Sequence, residues 1–263
     1  MNGITAWMEK YLVPVAAKIG SQKHLFALRD SFIGMLPATL AGALAAMISA
    51  IVTTFPSAIQ QMMLGATAFS KLAPEKVWTL ANTPIIGDLN NISALVNQGT
   101  LTVIGLIFAF SWGYNLARAY GVNDLAGGIV SVATLFAGLP NQMGKFTAAL
   151  GTGKAGVAAT DKLNGVLGDQ GLAAWKPLFA SAHLDAGAYF TVIIMGALAV
   201  IIYAKLMLAD ITIKMPESVP PAVAKAFLAI IPTIAALYIV GLIYYIIGKL
   251  TNDSVINLIT HYI

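Results

Sequence analysis

The chain has 263 residues, of which 58% are hydrophobic and only 10% are charged, and its mean hydropathy is +0.80. A soluble domain carries about a quarter charged residues, so this composition excludes a water-soluble globular protein and predicts an all-α, polytopic integral membrane protein. The chain has no cysteine, which excludes disulfides, thiolate metal sites and cysteine catalysis. Its net charge of +4 is small and its lysines are not gathered in one run, so nucleic-acid binding is not expected.

The N-terminal segment, residues 1–30, carries apolar side chains at helical spacing. Over residues 3–20 these side chains follow a period of 3.6, and they include Trp7 and Tyr11, which suit the level of the lipid headgroups. We expect an amphipathic helix on the membrane surface here, followed by a lead-in to the first span; an ordinary packing helix is the alternative. The first residues lack the apolar core and cleavage site of a secretory signal, so no cleavage is expected.

Five apolar segments follow that approach or reach the length of a bilayer crossing, about 20 residues. We therefore expect about five transmembrane helices between residues 31 and 247, at approximately 31–54, 100–117, 125–139, 186–208 and 226–247. Small residues recur every fourth position in the first span, at Ala38, Gly42 and Ala46. Such spacing lets helices approach closely in lipid, and it fits a contact within the chain as well as a contact between two copies.

Two connecting stretches are less regular. Residues 55–98 are interrupted by prolines, so we expect short helices near 57–70 and 89–97, or a re-entrant segment, in place of a spanning helix. Residues 141–185 form a polar loop whose Gly-rich part at 151–156 does not fit the P-loop pattern. A lone His183 and Asp185 do not make a metal site, so no cofactor is expected.

Residues 211–232 combine proline, charge and apolar sequence, and we call them the elbow. Pro216, Pro220 and Pro221 cannot lie inside a regular helix, because each lacks a backbone N–H and crowds the preceding turn. The pattern predicts a stiff, water-exposed connection that fixes how the fourth and fifth spans meet, with a kink at Pro232. Residues 248–263 indicate the start of an amphipathic connector.

The distribution of lysine and arginine predicts that the N-terminus lies inside the cell. With this orientation the inner segments hold eight such residues in roughly fifty, and the outer segments hold seven in roughly twice that length. The middle of each span lacks an ionisable residue, which argues against a proton-driven carrier and against the alternative of an unrelated five-span carrier.

Three stretches resemble one family. The sequence IKMPESVPPAVAKAFLAIIP within the elbow is similar to the segment before the fifth span of the membrane (IIC) subunit of bacterial sugar phosphotransferase systems of the lactose/cellobiose type. Residues 24–44 and 124–140 resemble that family's first and third spans, in the same order and spacing. The positions that match the family's motifs, all read as structural, are Arg29, Asp30, Pro37, Pro140, Met215, Pro216, Glu217, Val219, Pro220, Pro221 and Pro232.

The resemblance implies a permease of the bacterial cell membrane that imports a β-linked disaccharide such as cellobiose, lactose or chitobiose and phosphorylates it in passing. In this family the phosphoryl group comes from a phosphocysteine on a cytoplasmic IIB protein, which receives it from IIA. The subunit is a homodimer within the lipid bilayer, and its first five spans make most of the dimer contact. A histidine and a glutamate in the second half hold the sugar.

The chain departs from the family in one respect. Members are much longer, and their sugar-site histidine belongs to a Gly-His-Gly-like motif that is missing here. His24, His183 and His261 stand in other contexts, so no sugar-binding or catalytic residue is assigned. The sequence therefore looks like the N-terminal, dimer-forming half of a IIC subunit, as a fragment or one part of a split subunit. The alternative is a truncated, non-transporting scaffold or remnant that assembles with other IIC chains.

Overall fold

The computed structural model describes residues 22–79, 82–140, 183–216 and 219–262, together with Trp7, Lys10 and Tyr11. The helix expected on the membrane surface and most of the polar loop (141–182) lie outside the described residues, as does Glu217. The described ranges contain helices and turns and no strand. The prediction of an all-α fold is therefore confirmed.

Nine α-helical elements make up this part of the chain. They are α1 Lys23–Leu64, α2 Ala66–Phe69, α3 Pro84–Gln98, α4 Ile104–Tyr120, α5 Asp124–Gly138, α6 Ala186–Leu208, α7 Pro221–Leu228, α8 Ile230–Thr251 and α9 Val255–Tyr262. Short 3-10 turns lie at Pro74–Lys76 and Leu101–Val103. Helix α6 opens as a 3-10 turn and contains a π turn at Val192–Gly196.

Four stretches of helix are long and apolar enough to cross a membrane: Lys23–Leu64, Pro84–Tyr120, Ala186–Leu208 and Val223–Thr251. Helix α5 is apolar and shorter, with 15 residues. The architecture is that of a polytopic membrane protein with four long candidate spans and one short one, close to the expected five.

The first helix differs from the expectation. It runs for 42 residues without a break and includes both Pro37 and Pro56, whereas the sequence suggested an end near residue 54. At 1.5 Å per residue it is about 63 Å long, roughly twice the hydrocarbon core of a bilayer. Proline is tolerated in membrane helices where hydroxyl side chains and neighbouring groups satisfy the freed backbone. The carbonyl that Pro56 leaves without its helical donor is that of Val52; nearby, the Thr53 hydroxyl donates to the Ser49 carbonyl and the Ser57 hydroxyl to the Thr54 carbonyl.

Helices α3 and α4 run antiparallel along α1. The end of α4 contacts the start of α1, where the Ser111 hydroxyl donates to the Ser31 carbonyl over 3.1 Å. Further along, Gly42 lies against Leu101, and Ser49 donates to the Asn90 side chain of α3. The stretches expected as short helices near 57–70 and 89–97 belong instead to the second half of α1 and to the longer α3. The Asn90 and Ser93 side chains of α3 face α1.

The closest packing in the fold joins α4 and α5. Asn123 caps α5 by accepting from the Ala126 N–H, and Gly121, with φ of +75°, ends α4 in the left-handed conformation that glycine adopts readily. Within this hairpin, Gly113 meets the backbone of Gly127, and a Cβ atom on Gly113 would overlap the Gly127 carbonyl oxygen. Contact between two backbones fixes the position of the two helices.

The core lies where α4, α5, α6 and α8 meet. Its large buried side chains come from all four helices: Phe108, Leu116, Val130, Leu135, Val200, Tyr203 and Val240. The Tyr203 hydroxyl reaches the Asn123 carbonyl, which places the end of α6 beside the start of α5. The start of α6 is joined to α4 by a 2.8 Å hydrogen bond from the Gly105 N–H to the Leu184 carbonyl.

Helices α7 and α8 are separated at Ala229, three residues before Pro232. Pro232 has no N–H to donate to the carbonyl of Leu228, and its ring would crowd that carbonyl in a continuous helix. The Ala229 N–H bonds to Ala226 in a tighter turn, and the helix resumes at Ile230 with Pro232 buried in its first turn. Proline is well accepted at the start of a helix, so the break lies where its cost is lowest.

We predict that Gly113→Ala destabilises the protein. The added methyl group has to push apart the backbones of α4 and α5, and overpacking of this kind costs about 1–3 kcal/mol. Gly241→Ala in α8 is the matched control, because nothing lies within 4 Å of its added methyl group. Both changes favour the helix equally by propensity. The free energy of unfolding in detergent should fall only for Gly113→Ala; an equal response of both variants would contradict the contact.

We also predict that Pro232→Ala fuses α7 and α8, because alanine restores the N–H that bonds to Leu228. The chain has no cysteine, so spin labels on introduced cysteines at the exposed positions Val223 and Ile239 report the change cleanly. Their distance should approach about 24 Å, the value for 16 residues of one straight helix. Pro37→Ala, within the unbroken α1, should leave this distance unchanged. A distance that is the same before and after Pro232→Ala would show that the proline does not cause the break.

Candidate functional site

The elbow begins with a tight end to α6. Asp210 follows the helix in the left-handed region, with φ of 57°, a conformation that aspartate and asparagine adopt more readily than other residues with a side chain. The Ile211 N–H bonds back to the Leu206 carbonyl over 3.1 Å and closes the end of the helix. The chain therefore leaves α6 in one fixed direction.

An ion pair holds the first residues of the elbow. Lys214 Nζ lies 2.6 Å from Asp210 Oδ2, and the Thr212 hydroxyl also approaches the same carboxylate. The hydrogen bond from Lys214 holds the pKa of Asp210 below its ordinary value, and the same bond raises the pKa of Lys214. Both side chains are exposed, so this pair is easily screened by salt and adds little to stability.

The prolines of the elbow start a helix. Pro220 is extended, with ψ of 138°, because a residue that precedes proline avoids the helical region. Its carbonyl accepts from the N–H groups of Val223 and Ala224, and Pro221 occupies the first position of α7, where its missing N–H costs nothing. Pro216 accepts from Val219 in a preceding turn, and Met215 is half-buried beside it.

Arg29 and Asp30 lie in the second turn of α1, at the same end of the bundle as the elbow. Arg29 donates twice to one carboxylate oxygen of Asp30, over 2.9 and 2.7 Å, and its guanidinium lies over the Phe26 ring. Both side chains keep substantial exposure to solvent, so the two charges neutralise each other at the surface. The pair has the geometry of a structural contact.

Pro140 lies at the other end of the bundle, directly after α5. It borders a pocket of about 340 Å³ whose lining is formed by the end of α5, the last turns of α8 and the start of α9: Ala137, Gly138, Leu139, Pro140, Gly241, Tyr244, Tyr245, Ser254 and Val255. The Tyr244 ring packs directly on Gly138. None of these lining residues is charged, so the pocket offers hydroxyl groups and apolar surface and no acid, base or nucleophile.

The structure thus divides the motif positions into two sets. Arg29, Asp30 and the described elbow residues lie at one end, which we call the elbow end. Pro140 lies at the other, which we call the opposite end. Pro37 is exposed within α1, and Pro232 is buried at the start of α8. No single concave site brings the described positions together.

The polar groups expected to be inert have structural partners. His183 Nε2 lies 3.0 Å from the Asn257 side chain and so joins the start of α6 to α9. Asp185 caps the start of α6 by accepting from the Gly187 N–H. Within the ranges that the structure describes, no group of three His, Cys, Asp or Glu side chains could hold a metal ion.

Sequence reasoning missed a polar contact between α1 and α4. The Ser31 hydroxyl donates to the Ala27 carbonyl and reaches the Ser111 carbonyl, while the Asn115 amide donates to the Ser31 hydroxyl over 3.3 Å. Polar side chains in lipid stabilise helix pairs by such bonds, by about 0.6 kcal/mol on average. An asparagine within an apolar span was the available signal, but its partner stands 84 positions earlier and has no mark in the sequence.

A second missed contact orders the connection between α1 and α3. The Gln60 side chain is buried and binds two backbone groups, donating to the Lys76 carbonyl and accepting from the Trp78 N–H, both over 2.8 Å. Asn82 donates to the carbonyls of Pro74 and Val77. These amides hold a loop that its prolines alone would leave undetermined.

The comparisons with known proteins agree with this fold. The family model described as "Phosphotransferase system, EIIC" matches residues 29–263. A cellobiose-specific EIIC component of Lactococcus lactis is 99% identical over 263 residues, which is all of this chain and 53% of that protein. The lichenan permease IIC component of Bacillus subtilis is 26% identical over 260 residues, which is 99% of this chain and 49% of that protein.

A solved structure shares the architecture. The crystal structure of ChbC, the IIC component of the N,N'-diacetylchitobiose-specific phosphotransferase system, matches with a TM-score of 0.67 and 24% identity. The match covers 96% of this chain and 49% of ChbC, so the chain spans about half the length of the proteins that it matches. With this fold, and with the family model matching the whole chain from Arg29 onwards, the chain belongs to the phosphotransferase system EIIC family.

Proposed function

We propose that the chain is the N-terminal membrane half of a sugar permease that imports a β-linked disaccharide, cellobiose first among the candidates, and couples import to phosphorylation. The observation that carries this proposal is the 99% identity along the entire chain with a component named as cellobiose-specific. Other relatives are named for lichenan and for oligo-β-mannoside, which supports the class of β-linked sugars.

In this proposal the chain supplies a rigid frame and leaves the chemistry to other parts. The described helices place no acid, base or metal cluster in the core, and the motif positions that are described form caps, breaks and surface pairs. The phosphoryl group would come from the cytoplasmic IIB and IIA proteins. The sugar would bind to the half that this chain lacks, relative to its longer relatives.

We propose further that the elbow end faces the cytoplasm of a bacterial cell, with α1 starting inside. Six cations lie at that end in the described ranges: Lys23, Arg29, Arg118, Lys205, Lys214 and Lys225. The opposite end holds three: Lys71, Lys76 and Lys249. Short segments on the cytoplasmic side of membrane proteins carry the excess of lysine and arginine, so the arrangement supports this orientation.

In this proposal the chain also pairs with a second copy of itself. Helix α3 turns Asn90 and Ser93 towards α1 and exposes an apolar stripe that includes Ile85, Leu89 and Ile92. Most of α1 is also exposed in the single chain. We propose that these faces of α1 and α3 form a homodimer contact in the membrane.

The transport proposal is tested in a bacterial host that lacks its own cellobiose permease and supplies IIA and IIB. Cells with the full-length subunit, of which this chain forms the N-terminal half, should accumulate phosphorylated cellobiose. The remaining half expressed alone should give only the background level, because it lacks its frame. Uptake by that half alone at the full level would refute the proposed role. The scaffold alternative would instead show an effect of this chain on the assembly of other IIC chains, without any sugar uptake of its own.

The dimer proposal is tested by oxidative crosslinking of single-cysteine variants in membranes. Ile92→Cys on the exposed face of α3 should form a covalent dimer. Ile194→Cys, equally apolar and exposed but on α6, is the matched control and should remain monomeric. Equal yields from the two variants would indicate random collision and would rule out α3 as the contact.

A further inference from the structure

We propose that the elbow end of the bundle binds anionic phospholipid headgroups through Lys23, Lys205 and Lys225. These three lysines belong to three different helices, and together they form a set of positive charges at the elbow end. We call them the lipid lysines.

Two of the three other cations at this end are paired with carboxylates. Arg29 is paired with Asp30, and Lys214 with Asp210. Arg118 and Asp124 both lie near Tyr114.

The lipid lysines differ from these cations. Each is exposed, and none has a carboxylate partner in the part of the chain that the structure describes. Over the described ranges they therefore remain as uncompensated positive charge at the elbow end.

Lys23 and Lys205 both lie at helix ends. Lys23 is the first residue of α1, and its ammonium lies 4.9 Å from the centre of the Tyr120 ring at the end of α4. Lys205 lies in the last turn of α6. Lysines at the ends of apolar helices extend their ammonium groups to the interface, where the lipid phosphates lie.

Lys225 stands among exposed apolar side chains. It lies on the short helix α7, whose Val223 and Phe227 side chains are both exposed. A helix that presents apolar side chains and a lysine suits the boundary between acyl chains and headgroups. Leu208 is exposed near Lys205 in the same way. Exposed apolar side chains beside unpaired lysines favour a lipid surface over an acidic soluble protein, which would leave Val223 and Phe227 in water.

The charges at the opposite end provide a matched control. There the cations Lys71, Lys76 and Lys249 stand among the carboxylates Glu75, Asp88, Asp185 and Asp253. The opposite end therefore has no excess of positive charge over the described ranges. Anionic lipid should prefer the elbow end.

The test reconstitutes the protein into vesicles with equal amounts of phosphatidylglycerol and phosphatidylcholine, extracts it gently, and counts the retained lipids by mass spectrometry. The wild-type protein should retain phosphatidylglycerol in excess, and the excess should shrink at high salt because the interaction is electrostatic. Replacing the three lipid lysines with glutamine should abolish the excess, with a loss of about fivefold in binding for each lysine. Replacing them with arginine should preserve it.

The control is the triple glutamine variant of Lys71, Lys76 and Lys249, which removes the same charge from the opposite end and should retain the excess. Loss of the excess in this control would mean that net charge alone attracts the lipid, and would overturn the proposal. An excess that survives in the glutamine variant of the lipid lysines would overturn it as well. The proposal would also fail if the glutamine variant of the lipid lysines lost binding to an acidic cytoplasmic protein while its lipid retention stayed unchanged. The lysines would then serve a protein partner.

Discussion

The contact between the backbones of α4 and α5 is the constraint on which the rest of the fold depends. In lipid there is no hydrophobic force that drives one apolar helix against another, so association relies on close packing and on hydrogen bonds between helices. Gly113 and Gly127 allow that packing, because a side chain at either position would overlap the facing helix. The short α5 is then held firmly enough for α6 and α8 to pack on it, with Gly196 of α6 against Ser131 and Gly138 of α5 against Tyr244.

Proline gives the bundle its breaks, and its effect depends on where it stands. In α1, Pro37 and Pro56 lie inside one continuous helix, a placement that membrane helices tolerate. At Pro221 and Pro232 the same residue stands at the start of a helix, where its missing N–H is not needed. These positions fix the backbone where the elbow starts a helix, and Asp210 and Lys214 add a weak electrostatic contact at its start. The direction in which α8 enters the membrane follows from these fixed points.

The described helices hold no cluster of metal-binding side chains, which is consistent with the proposal that this chain supplies a frame and leaves the phosphoryl transfer to other parts. Two of the buried polar side chains join separate segments: Ser31 bonds across to α4, and Gln60 holds the loop before α3. Charge lies at the helix ends, where it acts on the membrane surface. The proposed lipid contacts of the elbow end and the proposed dimer contact of α3 would both position this frame in the bilayer without taking part in the chemistry.

The sequence by itself determined the fold class, because 10% charged residues cannot cover a soluble surface, and it determined the approximate places of the apolar helices. It also marked the elbow, since proline restricts the backbone through its own covalent structure. Only the tertiary structure decided that α1 continues through Pro56, because local propensity alone predicts that a helix breaks at a proline. Likewise, the partners of Ser31, Gln60 and Gly113 are distant in sequence, so the pattern around each residue carries no record of them. Local rules fix where helices can form, and contacts between distant residues decide which helices meet.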